Sequence, residues 1–195
     1  MSTRTSQPVT ERTPEPGRDG RCQPVSTLDR LLRRVRLRAR CRGQWLRKLW
    51  MEERETADGQ FVSHIEAESV LEDKDSPDAE SQWRNRNPAL SDVLTELRDV
   101  EQALAEDDSS RWSLLCKIFS IKGQDADLLQ TCLALQIDPT LARLYAYLQD
   151  HAARSYVTLD LVRRLFGYGR ESILQSESPL RLWDLVNERE VAAGE

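Results

Sequence analysis

DPTLARLYAYLQDHAARSYVTLDLVRRLFG, residues 138–167, is the stretch from which the rest of the chain is read. Asp138 is a good N-cap, since its carboxylate can accept a hydrogen bond from a free N–H of a first helical turn. Pro139 follows where its missing donor costs nothing. Leu141, Leu144, Tyr145 and Leu148 then recur at i, i+3, i+4 and i+7, one apolar face of a helix. Residues 150–155 are a polar break. Thr158 is a second cap, and Leu159, Val162, Leu165 and Phe166 again fall at helical spacing. Gly167 suits the left-handed position that ends a helix. The stretch therefore predicts helix, turn, helix. Tyr145 and Tyr147 point to different faces, so one of them at most is core and the other is free for a contact.

Outward from this centre the pattern stays helical. Ser91 is expected to cap a helix over 91–106, and Ser109 or Ser110 one running to about 121. Asp125 is expected to cap an apolar helix to 137, whose Leu128, Leu129, Cys132, Leu133 and Leu135 leave few polar faces. Leu144, Leu148, Leu165 and Phe166 are expected to share one core with that helix. Residues 27–54 read as one long helix with a stripe of Leu28, Leu31, Leu32, Val35, Leu46, Leu49 and Trp50, and with a weak point at Gly43 where it could bend. Nine of the nineteen positions from Arg30 to Lys48 are basic. Residues 55–90 read as an acidic linker with little regular structure. Trp83 in it is a packing anchor or a contact residue.

Residues 1–26 are rich in Ser, Thr, Pro, Gly and charge, and are read as a disordered tail. Residues 187–195 are read as a second polar tail. The domain proper is placed at 91–186.

The 138–167 stretch also resembles a known family. Ile137-Asp138-Pro139, Leu141, Arg143-Leu144-Tyr145-Ala146-Tyr147-Leu148-Gln149-Asp150 and Val157-Thr158-Leu159-Asp160-Leu161 with Arg164-Leu165 are similar to the winged-helix segment in the N-terminal region of bacterial AAA+ ATPases. These ATPases are of the type found with contractile, phage-tail-like injection systems. Phe119-Ser120-Ile121 and 125–129 look like an upstream helix of the same family. The resemblance covers roughly residues 95–185 and implies a mainly α fold: a compact helical bundle with a winged-helix-like helix-turn-helix, preceded by the long basic helix. It also implies that residues 178–186 hold the β-wing or its remnant.

The family's ATPase module requires a G-x-x-x-x-G-K-[ST] loop, whose backbone amides wrap phosphates. This sequence has no such loop, so the resemblance implies an N-terminal domain without its motor: a truncated product, a split subunit or a free-standing regulator.

The 195 residues carry net charge −5, unevenly placed. Residues 1–54 hold fourteen Lys and Arg against six Asp and Glu, leaving the remainder at −13. Such asymmetry fits a polyanion contact or pairing with acidic neighbours, and pairing is the favoured alternative. No nucleophile–base–orienter set is legible, and neither His64 nor His151 has a motif around it. The chain is therefore expected to be no enzyme and to need no cofactor. Cys22, Cys41, Cys116 and Cys132 lack metal-ligand spacing, so no metal is expected. Cys116 and Cys132 are read as buried thiols, which places the chain in the reducing cytoplasm. No stretch is long and apolar enough to span a bilayer.

The expected function is an adaptor or regulatory domain that docks on a protein partner, an AAA+ module or a machine subunit. The alternative is a winged helix that binds nucleic acid through the helix at 158–166. The candidate contact surface is Arg33, Arg34, Arg36, Arg38, Arg40, Tyr147, Arg154, Arg163, Arg164 and Arg170.

Overall fold

The computed structural model describes residues 25–56, 75–169 and 172–189, with side chains to residue 52 in the first helix. The expected tail over 1–24, the linker over 57–74, the end of the chain from 190 and Arg170 lie outside the described residues.

Helix α1, Thr27–Thr56, is the axis around which the others are laid. Ser26 caps it, its Oγ accepting from the Asp29 N–H at 3.1 Å. Helices α2 (Pro77–Arg86), α3 (Ser91–Glu106), α5 (Gly123–Ile137), α6 (Leu141–Leu148) and α7 (Leu159–Phe166) all pack on α1. Helix α4 (Arg111–Ile118) and the short α8 (Pro179–Leu182) close the end near α5. Among the described residues there is no strand.

Local signals fixed most helix ends. Ser110 Oγ accepts from Ser113 N–H at 3.1 Å and Thr158 Oγ1 from Leu161 N–H at 3.1 Å. Gly167 ends α7 at φ +72°, the left-handed position read from the sequence. Asp138 lies two residues ahead of the cap position, Thr140: its Oδ1 accepts from Thr140 N–H at 3.0 Å, and α6 begins at Leu141 rather than at Pro139. The caps read at Ser91 and Asp125 are not formed. A one-turn 3-10 helix, Pro88–Leu90, leads straight into α3. Helix α5 already starts at Gly123, and Asp125 instead accepts from Ser178 Oγ at 2.6 Å.

Four expectations need correction. The segment read as linker contains α2, because Ser76 caps it (Ala79 N–H to Oγ, 3.2 Å) and Pro77 opens it rather than stopping the chain. Its Trp83 packs 5.4 Å from Trp45, as an anchor. At 178–182, Ser178 and Pro179 start a helical turn where a wing was expected, burying Leu180 and leaving Leu182 exposed.

The interior is three clusters, not one core. Leu144, Leu148, Leu165 and Phe166 do share one cluster with Ala134 and Leu135 of α5, together with Val35, Leu46 and Tyr145, while Leu128 of the same helix belongs to a second cluster with Val162, Ile173 and Leu180. Leu144 and Phe166 are only partly buried, and Phe166 bridges the two clusters. The third cluster seats Leu37 and Cys41 of α1 against Leu90, Val93 and Leu97. Helix α1 thus buries a second stripe, because it is surrounded on several sides. Finally, Cys41 is the buried thiol, whereas Cys116 and Cys132 are half-buried. Burial still pushes the Cys132 thiol up to about 11.

The turn between α6 and α7 hangs on Gln149. Its amide Nε2 donates to the carbonyls of Tyr145 (3.2 Å), Arg154 (2.8 Å) and Tyr156 (3.0 Å), and its Oε1 accepts from Thr158 Oγ1 at 2.6 Å. One side chain therefore ties the end of α6 to the cap of α7. Asp150, at φ +48°, makes the reversal. Tyr145 is fully buried and donates to the Thr131 carbonyl at 3.1 Å, tying α6 to α5; Tyr147 lies outside, as the alternation of faces required.

Helix α1 continues unbroken through Gly43. The end of α6 crosses there, and a Cβ at Gly43 would meet Tyr147 at 3.6 Å and Leu148 at 3.8 Å, ordinary contact distances. Gly43→Ala is therefore expected to be neutral or to stabilise by up to about 1 kcal/mol in urea unfolding. Leu148→Ala, which empties a buried site, is expected to cost about 2–5 kcal/mol in the same measurement.

Candidate functional site

The arginines of α1 decide what surface the molecule has left. Arg34 donates to Glu101 of α3 at 2.9 Å and, through Nη1, to Asp127 (2.5 Å) and Gln130 (2.6 Å) of α5. Arg38 donates to the same Glu101 oxygen at 2.6 Å. Both guanidiniums lie 4.8 Å from the Phe166 ring of α7, so the aromatic face sits against two paired cations. Asp127 also accepts from Tyr168 Oη at 2.5 Å. Burial and the bond to Asp127 both raise the Tyr168 hydroxyl above its ordinary range.

A second knot lies one turn on. Arg42, only 2% exposed, donates to Asp75 at 2.5 Å and 2.6 Å and to Glu80 at 2.7 Å. Asp75 also accepts from Trp45 Nε1 at 2.8 Å and from Arg164 of α7. Burial would raise the Asp75 carboxyl, but the Arg42 bonds and charge, with Arg164 and Trp45, outweigh it and hold it below the usual carboxylate range. Glu101 is likewise held low: Arg38 and Arg34 overcome its burial. For Glu80 burial wins, and its carboxyl is raised although Arg42 bonds it.

The candidates named from the sequence are now placed. Arg34 and Arg38 are spent inside the fold. Arg33 pairs with Glu96 (2.5 Å) and Arg36 with Asp138 (2.5 Å), each about half exposed. Arg40 is exposed. Tyr147 is 42% exposed, with its ring 5.2 Å from Trp50 edge-on. Arg154 is exposed in the α6–α7 turn. Arg163 and Arg164 of α7 share Asp160, at 3.4 Å and 3.0 Å. The structure brings together Arg34 with Arg38, and Arg163 with Arg164, each pair around an acid.

Helix α7 stands where a helix-turn-helix places its reading helix. It buries Leu161, Val162 and Leu165, and Asp160 and Asp75 neutralise the arginines on its remaining face. Asp75, Pro77 and Glu80 line a small cavity against that face together with Arg163, Arg164 and Tyr168.

The sequence reading missed an apolar surface at the other end. Leu114 (56% exposed) and Ile118 (64%) are one turn apart on α4; Leu182 (73%) and Trp183 (55%) end α8. Trp183 meets Phe119 at 5.5 Å, so the two helix ends abut. The available signal was α4 itself, whose WSLLCKIF run is too apolar for one buried face. Among the described residues no group of His, Cys, Asp and Glu could hold a metal ion. None of the described helices is long and apolar enough to cross a membrane.

The depressed carboxyls set an acid limit. Their folded values lie below those of the unfolded chain, so their contribution to stability is complete above the ordinary carboxylate range, about pH 4, and is lost as pH falls through the folded values. Unfolding free energy measured in urea is expected to fall steeply below about pH 4, and Asp75→Asn to make that fall shallower. Arg42→Ala leaves the buried Glu80 without its ion-pair partner and Asp75 with Arg164 as its remaining cation, and is expected to cost about 3–5 kcal/mol at neutral pH; Arg47→Ala, on an exposed residue, should change little.

No curated protein and no solved structure gives a significant match to this chain. The sequence model of one family, described as "Winged helix domain, variant", matches residues 28–188, from the start of α1 to beyond α8. That span takes in the basic helix, both ion-pair knots and the helix-turn-helix together, and the chain belongs to this winged helix domain, variant, family.

Proposed function

We propose that this winged-helix domain is a non-catalytic protein-interaction module, docking on an AAA+ ATPase module or a subunit of the machine that carries one. The observation that supports it is four large apolar side chains each more than half exposed, Leu114 and Ile118 one turn apart on α4 and Leu182 and Trp183 at the end of α8, on elements that Phe119 and Trp183 bring into contact. Exposed apolar groups gathered at one place mark protein contacts more often than solvent faces. Trp is, moreover, the residue type most enriched at the centre of such contacts. The partner class rests on the resemblance of residues 137–165 to the N-terminal region of those ATPases.

Nucleic-acid binding is the second reading, favoured by the helix-turn-helix arrangement. Its weakness is charge. A domain that grips a phosphate backbone needs free cations on the reading helix, and Arg163 and Arg164 face Asp160 and Asp75.

The experiment is a pair of titrations. An AAA+ module encoded beside this chain is titrated by calorimetry with native protein and with Ile118→Glu/Trp183→Glu. Binding is expected for the native protein, at least about tenfold weaker for the variant, with both folded by circular dichroism. A duplex DNA affinity tighter than about 1 μM at physiological salt, falling steeply as salt rises, would overturn the proposal in favour of the second reading. The non-catalytic part is tested with ATP. No hydrolysis above buffer and no calorimetric binding are expected; micromolar affinity would sink that part.

A further inference from the structure

Between α2 and α3 lies a cavity of about 660 Å³ whose lining is strongly cationic. It forms because Asn87 and the 3-10 turn fold the end of α2 back on the start of α3. The turn thereby joins Arg84 and Arg86, in the last turn of α2, to Arg98, two turns down α3. Ser91, Leu94 and Arg98 follow at i, i+3 and i+7, so one face of α3 forms a wall.

None of these three arginines, Arg84 half-buried and Arg86 and Arg98 exposed at the cavity's edge, makes an ion pair with a carboxylate among the described residues. Arg98 donates only to neutral oxygens of its own helix, the Leu94 carbonyl at 3.2 Å and Thr95 Oγ1 at 3.3 Å. The Nε of Arg84 is shut off from solvent without a hydrogen-bond partner. Burial of a guanidinium N–H without an acceptor is costly. Glu80 acts on Arg84 through charge alone. The carboxylate in the lining, Glu101, already accepts from Arg34 and Arg38 through one oxygen. Asn87 spends its Oδ1 on the Ala89 N–H at 3.1 Å, leaving its NH2 as a further donor. The first turn of α3 has no side-chain cap and borders the same space.

We propose that this cavity binds a phosphomonoester dianion. Three guanidiniums around one concave space suit a compact group of high charge, because each can donate two parallel bonds to phosphoryl oxygens. An extended phosphodiester backbone would run out over a chain of net charge −5, past the exposed Asp92 and Asp99 of the same helix. The cavity lies on α2 and α3, while the apolar surface lies on α4 and α8, so this site stands whether or not the docking proposal does.

The full chain is melted with inorganic phosphate or with chloride at matched ionic strength. At about 10 mM phosphate the melting temperature is expected to rise by a few degrees over chloride. The rise should vanish in Arg86→Glu/Arg98→Glu and persist in Arg143→Glu, a reversal at an exposed position of α6. If the double reversal does not fold, Arg86→Gln/Arg98→Gln reads the same point. Two arms separate the sources: a nucleoside or sugar monophosphate for a free small molecule, and a phosphoserine peptide for a phosphorylated side chain. No difference between phosphate and chloride would overturn the proposal, as would a shift that survives in the charge variants. Single-stranded oligonucleotide bound more tightly than any monoester would overturn the choice of ligand.

Discussion

Everything in this fold depends on neutralising the arginines of α1. A helix with nine basic residues in nineteen positions cannot be the axis of a bundle unless partners meet its charges where water is excluded. A buried cation without a partner costs several kcal/mol, and a pair repays that only with good geometry and every remaining donor satisfied. The structure meets the demand from three directions. Glu101 comes from α3, Asp127 and Gln130 from α5, and Asp75 and Glu80 from the start of α2. These bonds fix how α1 is rotated against each neighbour, because a guanidinium fork accepts a carboxylate only in its own plane. The apolar clusters supply most of the stabilisation, since they remove the greater area from water. The polar knots select one arrangement among those the leucines would tolerate.

This allocation bears directly on what the surface offers. Cations turned inward are lost to any polyanion outside. Arg34 and Arg38 hold Phe166, and through it the end of α7; Arg164 reaches the Asp75 knot. The helix-turn-helix is thus tied to α1 by the same charges that a reader of nucleic acid would present. Among what remains outside are an apolar surface at the α4–α8 end and three arginines at the α2–α3 cavity. Neither lies on the helix that the fold family makes conspicuous. Functional surface in a small helical domain is what the interior does not consume, and here the interior takes Arg34, Arg38 and Arg42 of α1 and most of α7.

Much of the architecture was written locally. Ser26, Ser110 and Thr158 cap helices and Gly167 ends one because each acts on backbone groups within about four residues, a distance over which sequence order and spatial order coincide. The periodicity of 138–167 gave helix, turn and helix for the same reason. It also told Tyr145 from Tyr147, since faces alternate in a helix of fixed pitch. Helix α2 escaped notice because it is polar almost throughout; Glu80 and Trp83 reach partners on α1 that no local pattern announces. The expected wing failed because a Ser-Pro step can open a helix as readily as an extended strand.

The candidate surface was the least legible part, for a physical reason. An arginine's helical position says which side of its own helix it takes, not what arrives there. Asp75 lies 33 residues from Arg42, and Asp127 lies 93 from Arg34. Whether either arginine faces solvent or a carboxylate was therefore settled only when distant segments packed together. By itself the sequence determined most of the helices, those ends with a local cap or a stopping glycine, the main apolar stripes and the excess of positive charge near the start of the chain. The tertiary structure alone decided which of those charges were buried in pairs and which stayed open, because that choice depends on the approach of groups far apart in the chain and on the water excluded between them.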